Sequence, residues 1–119
     1  MATQVYEYEK CSTCRNALKW LDKNGISYSK TAIVENPPTA GELKSYVAKS
    51  GLPLKKFFNT SGLVYREMKL GEKLSNLSES EQLKLLASNG KLIKRPLLVD
   101  AQGVLVGFNE KEYREHFKK

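Results

Sequence analysis

The sequence predicts an α/β domain with a mixed four-stranded sheet, in the order βαβ…ββα with a helical insertion between the two halves. Three observations carry this. A strand–helix–strand unit opens the chain. Pro37-Pro38 then breaks it, and the segments that follow carry helix-start signals. In the last third the period shortens to two apolar runs joined by a tight loop. The 119 residues suit one domain, residues 1–119, with the insertion at about residues 39–90.

The elements follow in order. Val5 to Tyr8 alternates and is aromatic, which predicts the first strand. Cys14, Ala17, Leu18 and Leu21 recur at spacings of three and four, on one face of a helix that Asn24-Gly25 ends. Tyr28 to Val34 reads as the second strand, joined to the first by a right-handed connection and parallel to it. Thr39 and Glu42 form a capping box ahead of an apolar face of Leu43, Tyr46 and Val47. Gly51 and Pro53 end that helix. Leu54 to Met68 predicts short helices around a turn at Asn59-Thr60-Ser61-Gly62. Ser78 and Glu81 form a second capping box, with Leu83, Leu85, Leu86 and Ala87 as helix body and Asn89-Gly90 as its end. Leu97 to Val99 is an apolar strand directly after Pro96, a position where no ladder donor is needed. Ala101-Gln102-Gly103 reads as the hairpin loop and Val104 to Phe108 as the partner strand. Asn109 and Glu112 cap a last helix that runs to about Phe117.

Composition excludes several function classes. The chain has one histidine and two cysteines. A structural zinc site needs about four such ligands, and a Ser-His-Asp hydrolase would depend on His116, which reads as a surface residue. A disulfide-stapled secreted domain carries more cysteines at wider spacing. No segment reads as a signal peptide or a membrane span, so the expected compartment is the cytoplasm, where thiols stay mostly reduced. Lys and Arg total 20 against 13 Asp and Glu, a net charge of +7. The basic residues are scattered without an aromatic-interleaved stripe, so neither nucleic acid nor membrane is an expected partner. Arg66 reads as a surface charge, and Trp20 and Tyr46 as packing residues.

The chemistry concentrates in Cys11-Ser12-Thr13-Cys14, between the first strand and the first helix. A helix start carries roughly half a positive charge and free N–H groups, so a thiolate there is stabilised. Lys10 and Arg15 flank the loop and act in the same sense. Cys11 is the exposed nucleophile of this reading. Cys14, within the first turn and partly under it, is the resolving thiol. The plainer alternative makes Cys14 a small core residue and Cys11 an idle surface thiol. In a thioredoxin-like βαβ…ββα order, the start of the third strand lies beside this loop. Arg95 would then supply a fixed cation, and a cis Pro96 would present backbone to a thiol substrate.

Cys11-Ser12-Thr13-Cys14-Arg15-Asn16-Ala17-Leu18, Phe57-Phe58-Asn59-Thr60-Ser61-Gly62, Tyr65-Arg66-Glu67 and Lys94-Arg95-Pro96-Leu97-Leu98-Val99 together resemble the ArsC family over essentially the whole chain, to Val106-Gly107-Phe108-Asn109. That family includes glutaredoxin-coupled arsenate reductases and Spx-type regulators. The resemblance implies a thioredoxin-like fold with a helical insertion. It implies Cys11 as the attacking cysteine, with Arg15 and Arg95 holding oxyanion or thiolate. Two further arginines of the reductases fall near Asn59 and Phe108 here. Spx-type regulators share the cysteine pair and the Arg-Pro, use the disulfide as a switch, and bind the RNA polymerase alpha subunit. Their acidic stretch around a glycine is matched here by Gly51-Leu52-Pro53-Leu54-Lys55-Lys56, which is apolar and basic. Three functions follow from the resemblance. The first is a thiol–disulfide oxidoreductase with no bound cofactor, taking a small oxyanion or a disulfide as substrate, with glutathione, thioredoxin or glutaredoxin as electron donor. The second is an arsenate reductase, and the third a non-catalytic regulator.

Overall fold

The computed structural model describes residues 3–119. Strands β1 (Thr3–Glu7), β2 (Tyr28–Ala32), β3 (Leu97–Asp100) and β4 (Gly103–Val106) form one sheet in the order β2-β1-β3-β4. β1 runs parallel to β2 and antiparallel to β3, and β3 pairs antiparallel with β4. The sheet is therefore mixed, in the predicted element order. The helices among the described residues are α1 (Ser12–Lys23), α2 (Ala40–Ser50), α3 (Leu63–Glu67), α4 (Leu70–Lys73), α5 (Glu79–Ser88) and α6 (Glu110–Phe117), with three short 3₁₀ turns at Leu54–Phe57, Leu74–Asn76 and Gly90–Leu92. None of these helices is long and apolar enough to cross a membrane.

Alternation along the strands divides the interior in two. Val5 and Leu98 point to one face and pack with Ala17, Trp20 and Leu21 of α1 and Tyr113 of α6. Tyr6, Leu97, Val99 and Val104 point to the other face. There they join the larger core with Leu43 and Tyr46 of α2, Phe57, Phe58, and Leu83 and Leu86 of α5. Trp20 meets Tyr113 edge-on, with ring centroids 5.6 Å apart. The Tyr6 and Tyr46 hydroxyls, buried between sheet and α2, share a hydrogen bond of 3.1 Å, so neither polar tip is orphaned in the core.

Both capping boxes form as the sequence predicts. The Thr39 hydroxyl accepts from the Glu42 amide at 3.1 Å while the Glu42 carboxylate accepts from the Thr39 amide at 2.9 Å. Ser78 and Glu81 repeat the pattern at 3.1 and 3.0 Å. The segment between α2 and β3 is wholly helical apart from turns and one bridge between Phe58 and Ile93. Beside that bridge the Lys94 amide donates to the Phe57 carbonyl at 2.8 Å and the Asn59 amide to the Leu92 carbonyl at 2.7 Å. These bonds fix the Asn59 turn against the lead-in to β3.

The hairpin is tighter than the sequence reading. Gly103 belongs to β4, which leaves Ala101 and Gln102 as the turn, and β4 stops at Val106 because Gly107 turns the chain at φ +77°. Asp100 organises this turn: its Oδ1 accepts from the Gln102 amide at 2.9 Å and the Gly103 amide at 3.1 Å. Its Oδ2 lies 2.8 Å from His116 Nε2. His116 is thus not the surface residue the sequence suggests; its side chain is 11% exposed and its ring packs edge-on against Phe117 at 4.8 Å. Helical spacing cannot reveal a polar partner 16 residues upstream in sequence. Asp100→Ala strips three hydrogen bonds from a buried turn. It is expected to cost about 3 kcal/mol in urea unfolding, with His116→Ala producing the smaller part of that loss.

Candidate active site

β1 ends at Glu7, and the Cys11 amide donates to the Tyr8 carbonyl at 3.0 Å. This turn delivers Cys11 to the start of α1 as its N-cap, in an extended conformation with φ −100° and ψ 113°. The Cys11 Sγ accepts from the Cys14 amide at 3.3 Å. The sulfur thus occupies the place that a serine or aspartate oxygen takes in an ordinary cap, at the positive end of a 12-residue helix. Cys11 is half-buried, and Cys14 is fully buried beneath it; both are free thiols.

The start of β3 faces this loop. The Arg95-Pro96 peptide is cis. The Arg95 guanidinium lies over the Tyr8 ring, 5.0 Å from its centroid. Its Nη1 is buried without a hydrogen-bond partner. A buried cationic donor left unpaired is costly, and an anion in front of Cys11, or the thiolate itself, removes that cost.

The two thiols are driven apart electrostatically. Partial burial pushes Cys11 up, but hydrogen bonds from the Cys14 thiol and amide, together with the charge and hydrogen bond of Arg95, outweigh it and hold Cys11 below the ordinary thiol value. Cys14 is pushed up to about 12, first by burial and then by the neighbouring Cys11 sulfur. One thiol is disposed to ionise and the other to keep its proton.

A recess of about 420 Å³ opens in front of Cys11, with Thr13, Asn59, Lys94, Arg95, Phe108 and Glu112 among its lining residues. Of the residues singled out from sequence, Cys11, Thr13 and Arg95 meet at this recess, with Cys14 and Pro96 buried behind it. Lys10, Ser12 and Arg15 are exposed and do not line it. Arg15 turns back along the first helical turn, and its Nη1 donates to the Glu9 carbonyl at 2.8 Å; it braces the loop instead of facing the thiol. Ser12 contributes only as part of the helix start. Asn59 and Phe108, where the resemblance aligns arginines of the reductases, both reach the recess. Sequence reasoning missed Glu112, which reads as a capping residue of α6 and does accompany the cap: its amide donates to Asn109 Oδ1 at 3.2 Å. Nothing local marks its carboxylate as a wall of the recess. Among the described residues, no three His, Cys, Asp or Glu side chains gather where they could hold a metal.

A cysteine pair at the first helix start, on a mixed sheet with an Arg–Pro segment opposite, places the molecule among thioredoxin-like α/β proteins. Within that class the chain belongs to the ArsC family, whose pattern it matches over residues 6–116. It is 54% identical to the uncharacterized protein YusI of Bacillus subtilis over 98% of this chain and 99% of that one. The crystal structure of an ArsC family related protein from Bacteroides fragilis superposes with a TM-score of 0.94 at 52% identity, covering 98% of both chains. The global transcriptional regulator Spx of Streptococcus pyogenes is 31% identical over 87% of this chain and 76% of its own length.

Proposed function

We propose that this protein is a thiol–disulfide oxidoreductase of the cytoplasm in which Cys11 attacks and Cys14 resolves. The observation that carries the reading is the Cys11 sulfur, seated on the Cys14 amide at 3.3 Å with the Arg95 guanidinium beside it, whose Nη1 is buried without a hydrogen-bond partner. The Cys11 thiolate attacks one sulfur of a disulfide; a new S–S bond forms, and the other sulfur leaves as a thiolate with the electron pair. Cys11 then no longer carries charge. The push on Cys14 that comes from the Cys11 sulfur is relieved, so Cys14 gives up its proton to the thiolate released in the first step and attacks the Cys11 sulfur. The second half of the substrate departs as a thiolate, and the Cys11–Cys14 disulfide takes two electrons from glutathione, thioredoxin or glutaredoxin. Asn59 and Phe108 supply no charge to the recess. With fewer cations it suits a disulfide better than a multiply charged oxyanion such as arsenate, for which each charged donor contributes about 1.5–3 kcal/mol.

Alkylation by iodoacetamide followed against pH tests the reading. A depressed pKa means that thiolate, and hence reactivity, is gained as pH rises through a midpoint below that of a free thiol and lost below it. Cys11 is expected to titrate below about 8.5, and Arg95→Met to move the midpoint upward. A wild-type midpoint at or above about 8.5 overturns the activated thiolate. The Spx relative favours a second reading, a redox-switched partner of the RNA polymerase alpha subunit. Retention of this chain by that subunit in only one redox state, without turnover of disulfides, would decide for it.

A further inference from the structure

The Cys11 recess does not close behind Arg95. Lys94, Val106 and Glu112 line both it and a longer groove of about 660 Å³ along β4. α6 contributes Glu112, Glu115 and His116 to this groove, and the segment after α2 contributes Leu52 and Lys56. The groove follows a sheet edge: among the described residues, β4 has β3 on one side and no strand on the other, with Val104 7% exposed there and Val106 half-buried.

The phase of the β3–β4 ladder shows which backbone groups that edge offers. Gly107 donates to the Pro96 carbonyl at 2.9 Å, and Leu105 lies opposite Leu98 and Gly103 opposite Asp100. Bonded pairs alternate with non-bonded ones in an antiparallel ladder. Leu105 and Gly103 therefore turn their N–H and C=O groups toward β3, and Val104 and Val106 turn theirs outward. Among the described residues, no hydrogen bond reaches these outward groups. They repeat every second residue, about 7 Å apart. The chemistry that matches alternating donors and acceptors at that spacing is another extended polypeptide. Lys56, Lys94, Glu112 and Glu115 all line the groove and give side chains on such a segment partners of both signs.

We infer that the disulfide brought to Cys11 is carried on an extended polypeptide, which adds to the free edge of β4 as a fifth strand and passes its cysteine into the recess at Val106. This rests on the thiol–disulfide reading. The chemistry adds no new reactant: the Cys11 thiolate bonds to the cysteine sulfur of the polypeptide, and that cysteine's former disulfide partner leaves as a thiolate.

Mixed disulfides of 5-thio-2-nitrobenzoate with two carriers test the inference on the full chain, the released chromophore being followed by absorbance. One carrier is N-acetylcysteine amide and the other a nine-residue β-forming peptide ending in cysteine. The peptide is expected to react at least about tenfold faster, the value of one to two added hydrogen bonds. N-methylation of one alternate set of its amides removes the gain, and methylation of the other set leaves it. Lys56→Glu and Glu115→Lys reduce the gain without changing the rate with N-acetylcysteine amide. A peptide rate equal to that of the small carrier overturns the inference and leaves the reactive Cys11 standing. So does a gain indifferent to which amides are methylated. A dimer in light scattering that Val104→Pro dissociates assigns the edge to a second copy and also overturns it. A Cys11 that attacks neither carrier overturns the thiol–disulfide reading itself.

Discussion

Cys14→Ser is expected to stop the reaction after its first step, leaving a stable mixed disulfide on Cys11, whereas Cys11→Ser removes the first step altogether. Cys11 sits at the helix start with a depressed pKa, so attack does not require Cys14 as a nucleophile. Release does: the sulfur that displaces the bound half of the substrate is one turn along α1 and buried beneath the adduct. In an NADPH-coupled assay with glutathione disulfide substrates, Cys11→Ser should lose three orders of magnitude or more, on the order of the losses that follow removal of a covalent nucleophile. Cys14→Ser should lose turnover as well, yet whole-protein mass spectrometry should show the added substrate half. Serine places a hydroxyl in an apolar site, so Cys14→Ala is the companion variant that keeps the core dry. Full turnover by both Cys14 variants would remove the resolving role and leave a one-cysteine mechanism in which an external thiol completes the cycle. Running the same assay with arsenate and glutaredoxin distinguishes the reductase reading, which expects turnover there.

Gly90→Ala is expected to be the most damaging of the conservative core substitutions. Gly90 opens the 3₁₀ turn that leads to β3, and it is buried. A Cβ built there would run into the Ile33 carbonyl oxygen and stand 2.7 Å from its carbon and 3.0 Å from Val34 Cα. Every one of these is backbone, so no side chain can rotate aside; the chain after β2 and the turn before Arg95 must separate. Overpacking of this kind costs about 3 kcal/mol or more, a fall in Tm of at least about 10 °C by circular dichroism. Gly41→Ala is the control, since its nearest atom would be the Thr39 hydroxyl oxygen at 4.0 Å. That change, in an exposed first turn, should raise stability by about 0.5–1 kcal/mol. Equal effects from the two variants would show that the Ile33 contact is not what constrains Gly90.

The elements legible in the sequence are those set by neighbours along the chain. The two capping boxes, the glycine at Gly51 and the apolar repeat of α1 are all decided within a few residues, and each lies where the sequence puts it. The position of the cysteine pair at a helix start is legible for the same reason. What the sequence hides is long-range polar pairing. His116 finds Asp100 across the fold. Arg15, which its place beside the loop and the family resemblance both make a thiolate partner, has its guanidinium taken up by the Glu9 carbonyl. Glu112 reaches the recess only because α6 begins right after the turn at Gly107. A capping pattern specifies where a helix starts but not where its third residue points in the assembled molecule.

The placement of Trp20 makes one side of this protein visible to light. It is the chain's single tryptophan, and it lies on the helix that begins at Cys11, in edge contact with Tyr113 and 6.1 Å from the Phe117 ring centroid. Its emission therefore senses the α1–α6 layer, while the hydroxyl-bonded Tyr6 and Tyr46 report from the opposite side of the sheet. Cys14 is six residues before Trp20, about 9 Å along the axis. Changes in sulfur chemistry at the helix start, and any loosening of the last helix that accompanies them, converge on one indole whose fluorescence needs no added label.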